Sequence, residues 1–305
     1  MRTVIECVPN ISEGRDPARV REIADAVRAA PGVRLLDVSS DPAHNRSVLT
    51  FVGDAAAVRA GVSALFDAAI PRIDLTRHSG EHPRMGAVDV VPLIPIRGAT
   101  VADAVALSRE VGAAIAARHA IPVFLYEDSA ASESRRNLAE IRKGEFEGFG
   151  EKMKDPLWAP DFGPASPHPT AGAVAVGARA PLIAYNINLG TKDLRVADAI
   201  ARAIRHIGGG FRFVKAMGVE LADRGQVQVS INMTNFRKTP LHRVFECVKS
   251  EAARYGVPIV GSEIVGLAPA DALLMAAGHY LRLENLSSEQ ILELRLLEEE
   301  EEGAP

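Results

Sequence analysis

LIAYNINLGTKD, residues 182–193, is an apolar strand pattern that closes on Asn-x-Asn and runs directly into a helix entrance. VPNISEGRD, residues 8–16, does the same with Asn-x-Ser. Amides and hydroxyls at either entrance are explained as well by helix capping as by ligand binding. Two equivalent entrances, however, point to a duplicated unit.

Working outward, the second segment is followed by a helix pattern (191–206), FRFVKAMGV (211–219), VQVSINM (227–233), a helix pattern (240–255) and VPIVGSEIVGL (257–267). Around the first lie TVIECVP (3–9), a helix pattern with Pro17 in its first turn (16–30), VRLLDV (33–38), SVLTFV (47–52), a helix pattern (54–70) and VDVVPLIPI (88–96). Each series reads β-α-β-β-α-β, the split βαβ order. The expected fold class is therefore α+β: two tandem ferredoxin-like (βαββαβ) α/β sandwich subdomains, helices on one face of each sheet. A further helix (100–118) and the strand IPVFLY (121–126) extend the first. The expected division is residues 1–178, including a Gly, Pro and Lys-rich connector over 143–178, and residues 179–305, ending in a solvated acidic tail at 298–305.

Composition narrows the function classes. A hydrophobic share of 47% with 24% charged residues is that of a globular chain, and no uninterrupted apolar run reaches membrane-spanning length. The N-terminus lacks an extended apolar region with a small-residue cleavage site, so a cytoplasmic location is expected. Cys7 and Cys247 are far apart in apolar patterns and read as free thiols. The net charge of -4 argues against a nucleic-acid partner, and no strand carries an aromatic-rich RNA-binding pattern.

HSGEH, residues 78–82, fits the H-x-x-E-H letters of one zinc peptidase class. That motif needs both histidines on one face of a continuous helix, whereas Gly80 weakens a helix and Pro83 disfavours helical backbone at His82. An irregular loop could still bind metal with Asp41, His44 or Glu81 as extra ligands, though nothing fixes that spacing; the other readings of His82 are a loop histidine or a proton-transfer group, since imidazole titrates near neutrality and Arg84 stands two residues on as a two-pronged carboxylate donor. A second cluster, Asp37, Asp41, His44, Asn45 and Arg46 in LLDVSSDPAHNRSV, reads as a connecting turn or as ligand contact. DFGPASPHPTAGAVAVGAR, residues 161–179, reads either as a linker or as a loop whose glycines let backbone approach a ligand; it lacks phosphate-loop spacing. Gln228, Ser230 and Asn232 alternate with apolar residues, giving a strand with one polar face.

ECVPNISEGRD, LLDVSSDPAHNRSVLTFVG, RHSGEHPRMGAVDVVPLIPI, DFGPASPHPTAGAVAVGARAPLIAYNINLGT and VQVSINMTN together resemble the glutamate formimidoyltransferase (formiminotransferase) family, over about residues 2–285. The resemblance implies two ferredoxin-like subdomains with an active-site groove between them, and no appended cyclodeaminase domain. It implies transfer of the formimidoyl group from N-formimidoyl-L-glutamate to tetrahydrofolate, giving 5-formimidoyltetrahydrofolate and L-glutamate in histidine degradation. Tetrahydrofolate is then a co-substrate, and no metal is required. His82 becomes the general acid/base, and Gly163, Pro164, Ala165, Ser166, Pro167, His168, Pro169, Thr170, Ala171 and Gly172 a folate-contacting loop. Asn10, Ser12, Glu13, Asn45, Arg46, Arg84, Asn188, Gln228 and Asn232 are expected to face the substrates, with Arg84, Arg46 and Arg243 as candidates for glutamate carboxylates. Some relatives carry an acidic residue where this chain has Ser39; Asp37 and Asp41 are the nearest acids. The expected assembly is a homodimer. An N-formylglutamate-dependent formyltransferase and a non-catalytic folate or amino-acid binding module are the alternatives, and fold alone does not separate them.

Overall fold

The computed structural model describes residues 3–296, so the acidic tail at 298–305 lies outside the described residues. The chain divides into two compact units between Arg179 and Ala180.

In the first unit the elements are β1 (Val4–Cys7), β2 (Asn10–Ile11), α1 (Pro17–Arg28), β3 (Arg34–Asp41), β4 (Arg46–Gly53), α2 (Ala55–Ala69), β5 (Val88–Arg97), α3 (Val101–His119), β6 (Val123–Leu125), α4 (Leu138–Arg142), α5 (Glu145–Lys152) and β7 (Val174–Ala178). β3, β4, β1 with β2, and β5 lie side by side and antiparallel, the ferredoxin-like order; β7 and then β6 add parallel strands beyond β5. The strand expected over 3–9 is interrupted at Val8 and Pro9, because a proline nitrogen cannot donate to a ladder. Helix starts follow side-chain caps: Asp16 Oδ1 accepts from the nitrogens of Ala18 and Arg19, and Thr100 with Asp103 closes a capping box on α3.

Alternation along the strands separates two cores. Val88, Val91, Val123, Val174 and Val176 face α1, α2 and α3, with Phe51, Leu65 and Phe66 among the fully buried side chains there. Val90, Phe124 and Ala175 face the other way, against Ile141 of α4, Phe149 of α5 and Met153. The connector expected over 143–178 as a linker is therefore partly helical and docked, closing the sheet face that α1–α3 leave open. Each large apolar side chain so buried contributes about 1.5–3 kcal/mol, and the Phe124 and Phe149 rings meet edge to face at 5.3 Å.

The second unit contains β8 (Ile183–Leu189), α6 (Leu194–Ile204), β9 (Val214–Leu221), β10 (Gln226–Met233), α7 (Leu241–Arg254), β11 (Ile259–Val265) and α8 (Ala270–Leu281). Its sheet runs β11-β8-β10-β9, all antiparallel, again the ferredoxin-like order. The strand expected from 211 begins at Val214, since Phe211 N donates to Ile204 O and Val214 N to Phe211 O, which makes 211–213 a turn closing α6. Ile183, Tyr185, Ile187, Val227, Val229 and Ile231 pack under α6 and α7. Cys7 and Cys247 are free thiols. Among the described residues no helix is long and apolar enough to cross a membrane.

Candidate functional site

The open end of the first sheet gathers the starts of β2, β4 and β5. Asn10 on β2 and Arg46 on β4 point to the face away from α1–α3, and Asp89 enters β5 on that face. Arg46 Nε donates to Asn10 Oδ1 at 2.8 Å. His82 precedes β5 in the irregular loop 78–83: Leu75–Arg77 form a single 3-10 turn, and His78 is extended. Gly80 is required there by contact, for a Cβ would lie 2.3 Å from His44 O. The helix that the zinc motif needs is not formed, and among the described residues no group of three or more His, Cys, Asp or Glu is placed to hold a metal ion.

Arg46 Nη1 lies 2.6 and 2.7 Å from Nδ1 and Nε2 of His82, and His82 Nδ1 lies 2.7 Å from Pro83 O. With Nδ1–H given to the carbonyl, Nε2 keeps its lone pair, and Arg46 Nη1, almost equidistant from the two ring nitrogens, covers the ring between them rather than lying along that lone pair. Asp89 is 2% exposed and sits between two guanidinium groups: Arg142 Nη2 at 2.5 Å and Arg46 Nη1 at 3.8 Å. Its Oδ1 accepts from Met85 N at 2.8 Å. Two cations thus share one carboxylate beside a neutral ring.

The electrostatics follow from that imbalance. Burial, with Arg46 and Arg142 adding to it, pushes His82 down to about 3. Burial and then Arg142 push Arg46 down to about 9, Asp89 opposing, so Arg46 stays protonated near neutrality. Burial alone would raise the Asp89 carboxyl, but Arg142 and Arg46 outweigh it and hold the group below its ordinary range.

Other expected site residues surround this cluster in different capacities. Ser12, His44, Asn45, Arg46, His78, His82, Arg84 and Asp89 line one small polar pocket. Asn45, at φ 49, accepts from Gly14 N and donates to Ser79 O, both at 3.0 Å, so it ties the pocket loops together. Ser12 Oγ donates to Gly86 O at 2.7 Å. Glu13 turns to the start of α1, accepting from Arg15 N and Asp16 N and pairing with Arg19. Arg84, the best-placed carboxylate anchor by sequence, is 7% exposed and already holds Glu147 through two hydrogen bonds and Glu145 through a third. This corrects its expected availability, because its donor fork is spent inside the chain.

The loop from Gly163 to Gly172 is stapled at its C-terminal half. His168 and Gly172 exchange backbone hydrogen bonds of 2.8 and 3.0 Å, Thr170 O accepts from Leu75 N, and Ala171 O accepts from Ala87 N. Gly163, Ala165, Ser166 and Pro169 are exposed, while Pro164, Pro167, His168 and Thr170 are half-buried. In the second unit Gln228 Nε2 donates to Asn188 Oδ1 at 2.8 Å and to Glu263 Oε1 at 2.9 Å on the sheet face away from α6 and α7. Asn232 lies on the same face, exposed, and makes no part of that cluster.

Asp89, Arg142 and Glu263 were not among the expected site residues. A lone acid in the apolar run VDVVPLIPI was the signal for Asp89, and an acid in VPIVGSEIVGL that for Glu263. Arg142 had none, since nothing in its own segment requires burial.

The model for the formiminotransferase domain, N-terminal subdomain, matches residues 4–179, and that for the formiminotransferase domain matches residues 184–297. The chain is 50% identical to a glutamate formimidoyltransferase of Streptococcus pyogenes serotype M1, over 97% of this chain and 100% of the relative. It is 46% identical to one of Thermoplasma acidophilum, over 96% and 97%. A formimidoyltransferase-cyclodeaminase of Dictyostelium discoideum is 44% identical over 94% of this chain but only 54% of its own length.

Proposed function

This chain belongs to the formiminotransferase family, and on that premise we propose that it transfers the formimidoyl group of N-formimidoyl-L-glutamate to tetrahydrofolate, with His82 as the proton shuttle. The products are 5-formimidoyltetrahydrofolate and L-glutamate, and the reaction belongs to histidine degradation. The placement of His82 Nε2 at 2.7 Å from Arg46 in the pocket that Asp89 and Ser12 also line is the observation that carries the His82 role.

N5 of tetrahydrofolate attacks the amidine carbon, giving a tetrahedral adduct. The C–N bond to glutamate then breaks; the departing nitrogen gains a proton and N5 loses one. One neutral imidazole can take the second proton and return it as the first. A positioned shuttle of this kind contributes about 100-fold to 10,000-fold, and holding two substrates in register supplies much of the remainder. The exposed part of the loop Gly163–Gly172 is the proposed folate contact, and Asn188 and Gln228 are proposed substrate contacts. The scheme needs no metal, so chelator treatment is expected to leave the rate unchanged. We propose a cytoplasmic homodimer, whose mass light scattering would read directly.

His82→Ala tests the reading. The expected result is a loss of transfer within that range with tetrahydrofolate binding retained, followed as 5,10-methenyltetrahydrofolate after acid treatment. Turnover like that of the unmodified protein would overturn the shuttle. Rates on N-formylglutamate set against N-formimidoylglutamate would decide the donor.

A further inference from the structure

The buried charge on the face of the first sheet away from α1–α3 is unbalanced in a specific direction. Asp89 is in contact with Arg142 at 2.5 Å and stands off from Arg46 at 3.8 Å. The nearer ion pair of its carboxylate is therefore with Arg142 of α4, a contact by charge and proximity without a hydrogen bond, and Arg46 remains the under-neutralised cation of the pocket. Arg46 has no carboxylate within normal hydrogen-bonding distance among the described residues; its donors go to the amide oxygen of Asn10 and the ring of His82. A guanidinium held mostly out of water with neutral partners is a strong receptor for a small anion.

We propose that Arg142 is a positioning residue that occupies Asp89, so that Arg46 is kept free to take a glutamate carboxylate, and that this capture withdraws Arg46 from His82 Nε2 and uncovers the base. The inference rests on the proposed transfer reaction for the identity of the anion. Anchoring and activation then become one event. Arg46 Nη1 covers the ring between its two nitrogens; when a carboxylate takes the Nη1 donor, Nε2 is uncovered and its lone pair can reach N5. The incoming negative charge also offsets Arg46 and Arg142, the two cations that depress the ring. The charged or titratable groups facing His82 are Arg46 on β4, Arg142 on α4, Asp89 on β5 and His44, whose ring meets that of His82 edge-on at 5.8 Å.

Without Arg142, Asp89 is expected to close on Arg46 and cancel the receptor. Arg142→Gln should raise the KM of the substrate that supplies the carboxylate by about 10-fold to 100-fold, the size of a lost charge-assisted contact. Arg142→Lys, which keeps the charge, should recover most of it. Two sources of a glutamate carboxylate exist, so the experiment has two arms: donors with either carboxylate replaced by the neutral amide, and tetrahydropteroate in place of tetrahydrofolate. Loss of discrimination against one of these neutral analogues in Arg142→Gln supports the proposal and identifies the source. Equal losses for charged and neutral substrates, or an unchanged KM on both arms, would overturn it. Calorimetric binding of L-glutamate to the unmodified protein and to Arg142→Gln checks the receptor apart from turnover. A protein whose glutamate binding weakens in Arg142→Gln yet which transfers nothing would sink the reaction and leave the receptor standing.

Discussion

Arg84 and Glu147 are joined by two hydrogen bonds, of 2.7 and 2.6 Å, between the end of the His82 loop and α5. The adjacent backbone bond from Phe146 N to Arg84 O, 2.9 Å, makes this a clamp between loop and connector. Arg84→Ala is expected to cost about 1–3 kcal/mol of stability, as for a buried donor network losing one partner, without a selective rise in donor KM. Kinetics with the two substrates varied separately would check it; a donor-specific KM effect would return Arg84 to the role of anchor.

The lowered pKa of His82 sets an acid limit. The ring titrates near 6.5 when unfolded and at about 3 in the native pocket, so between those values the unfolded chain binds more protons than the native one. Stability therefore falls as pH drops from about 6.5 toward 3. His82→Gln removes this contribution, and its melting temperature should fall less between pH 7 and pH 4 than that of the unmodified protein. Parallel losses in the two proteins would contradict a neutral, buried His82.

Asn45 is expected to separate stability from rate. Asn45→Ala strands Gly14 N and should destabilise by about 1–3 kcal/mol. Asn45→Asp keeps an acceptor for Gly14 but loses the donor to Ser79. It should hold more stability than the alanine variant while lowering kcat through a looser His82 loop. Thermal melts paired with kcat make the comparison; a full kcat in Asn45→Asp would show that Ser79 needs no tether.

At Gly172, φ is +68 and a Cβ would lie 2.1 Å from Met85 O. Gly172→Ala should cost about 1–3 kcal/mol from left-handed backbone alone, and should raise the KM of tetrahydrofolate by moving the loop it terminates. An unaltered melt would mean that loop and strand separate freely.

The duplication was legible because its signals are local: periodicity, proline and capping residues act within a turn or two of where they stand. Both β-α-β-β-α-β series are found with the expected sheet order, and the polar row of β10 lies on the face its alternation predicted. The connector was misread because composition does not show docking: Phe149 and Met153 are too sparse to form a period, and only the apolar back of the sheet gives them a partner. The same gap hid Arg142. Arg84 failed for the converse reason, since a sequence shows a donor but not the glutamates 61 and 63 residues away that consume it. Where a charge broke an apolar strand, as at Arg46, the side chain is found beside His82 in the same pocket.

The docked connector also bears on how such a protein could have arisen. Two β-α-β-β-α-β series account for four strands and two helices of each unit, yet the guanidinium that sets the charge of the His82 pocket is carried by α4, which lies outside either series. A bare copy of the repeat could fold with its strands in order and still lack the charge pattern of the pocket. The shared β-α-β-β-α-β order is thus the scaffold of both halves, and a segment outside that order makes the first chemically unlike the second.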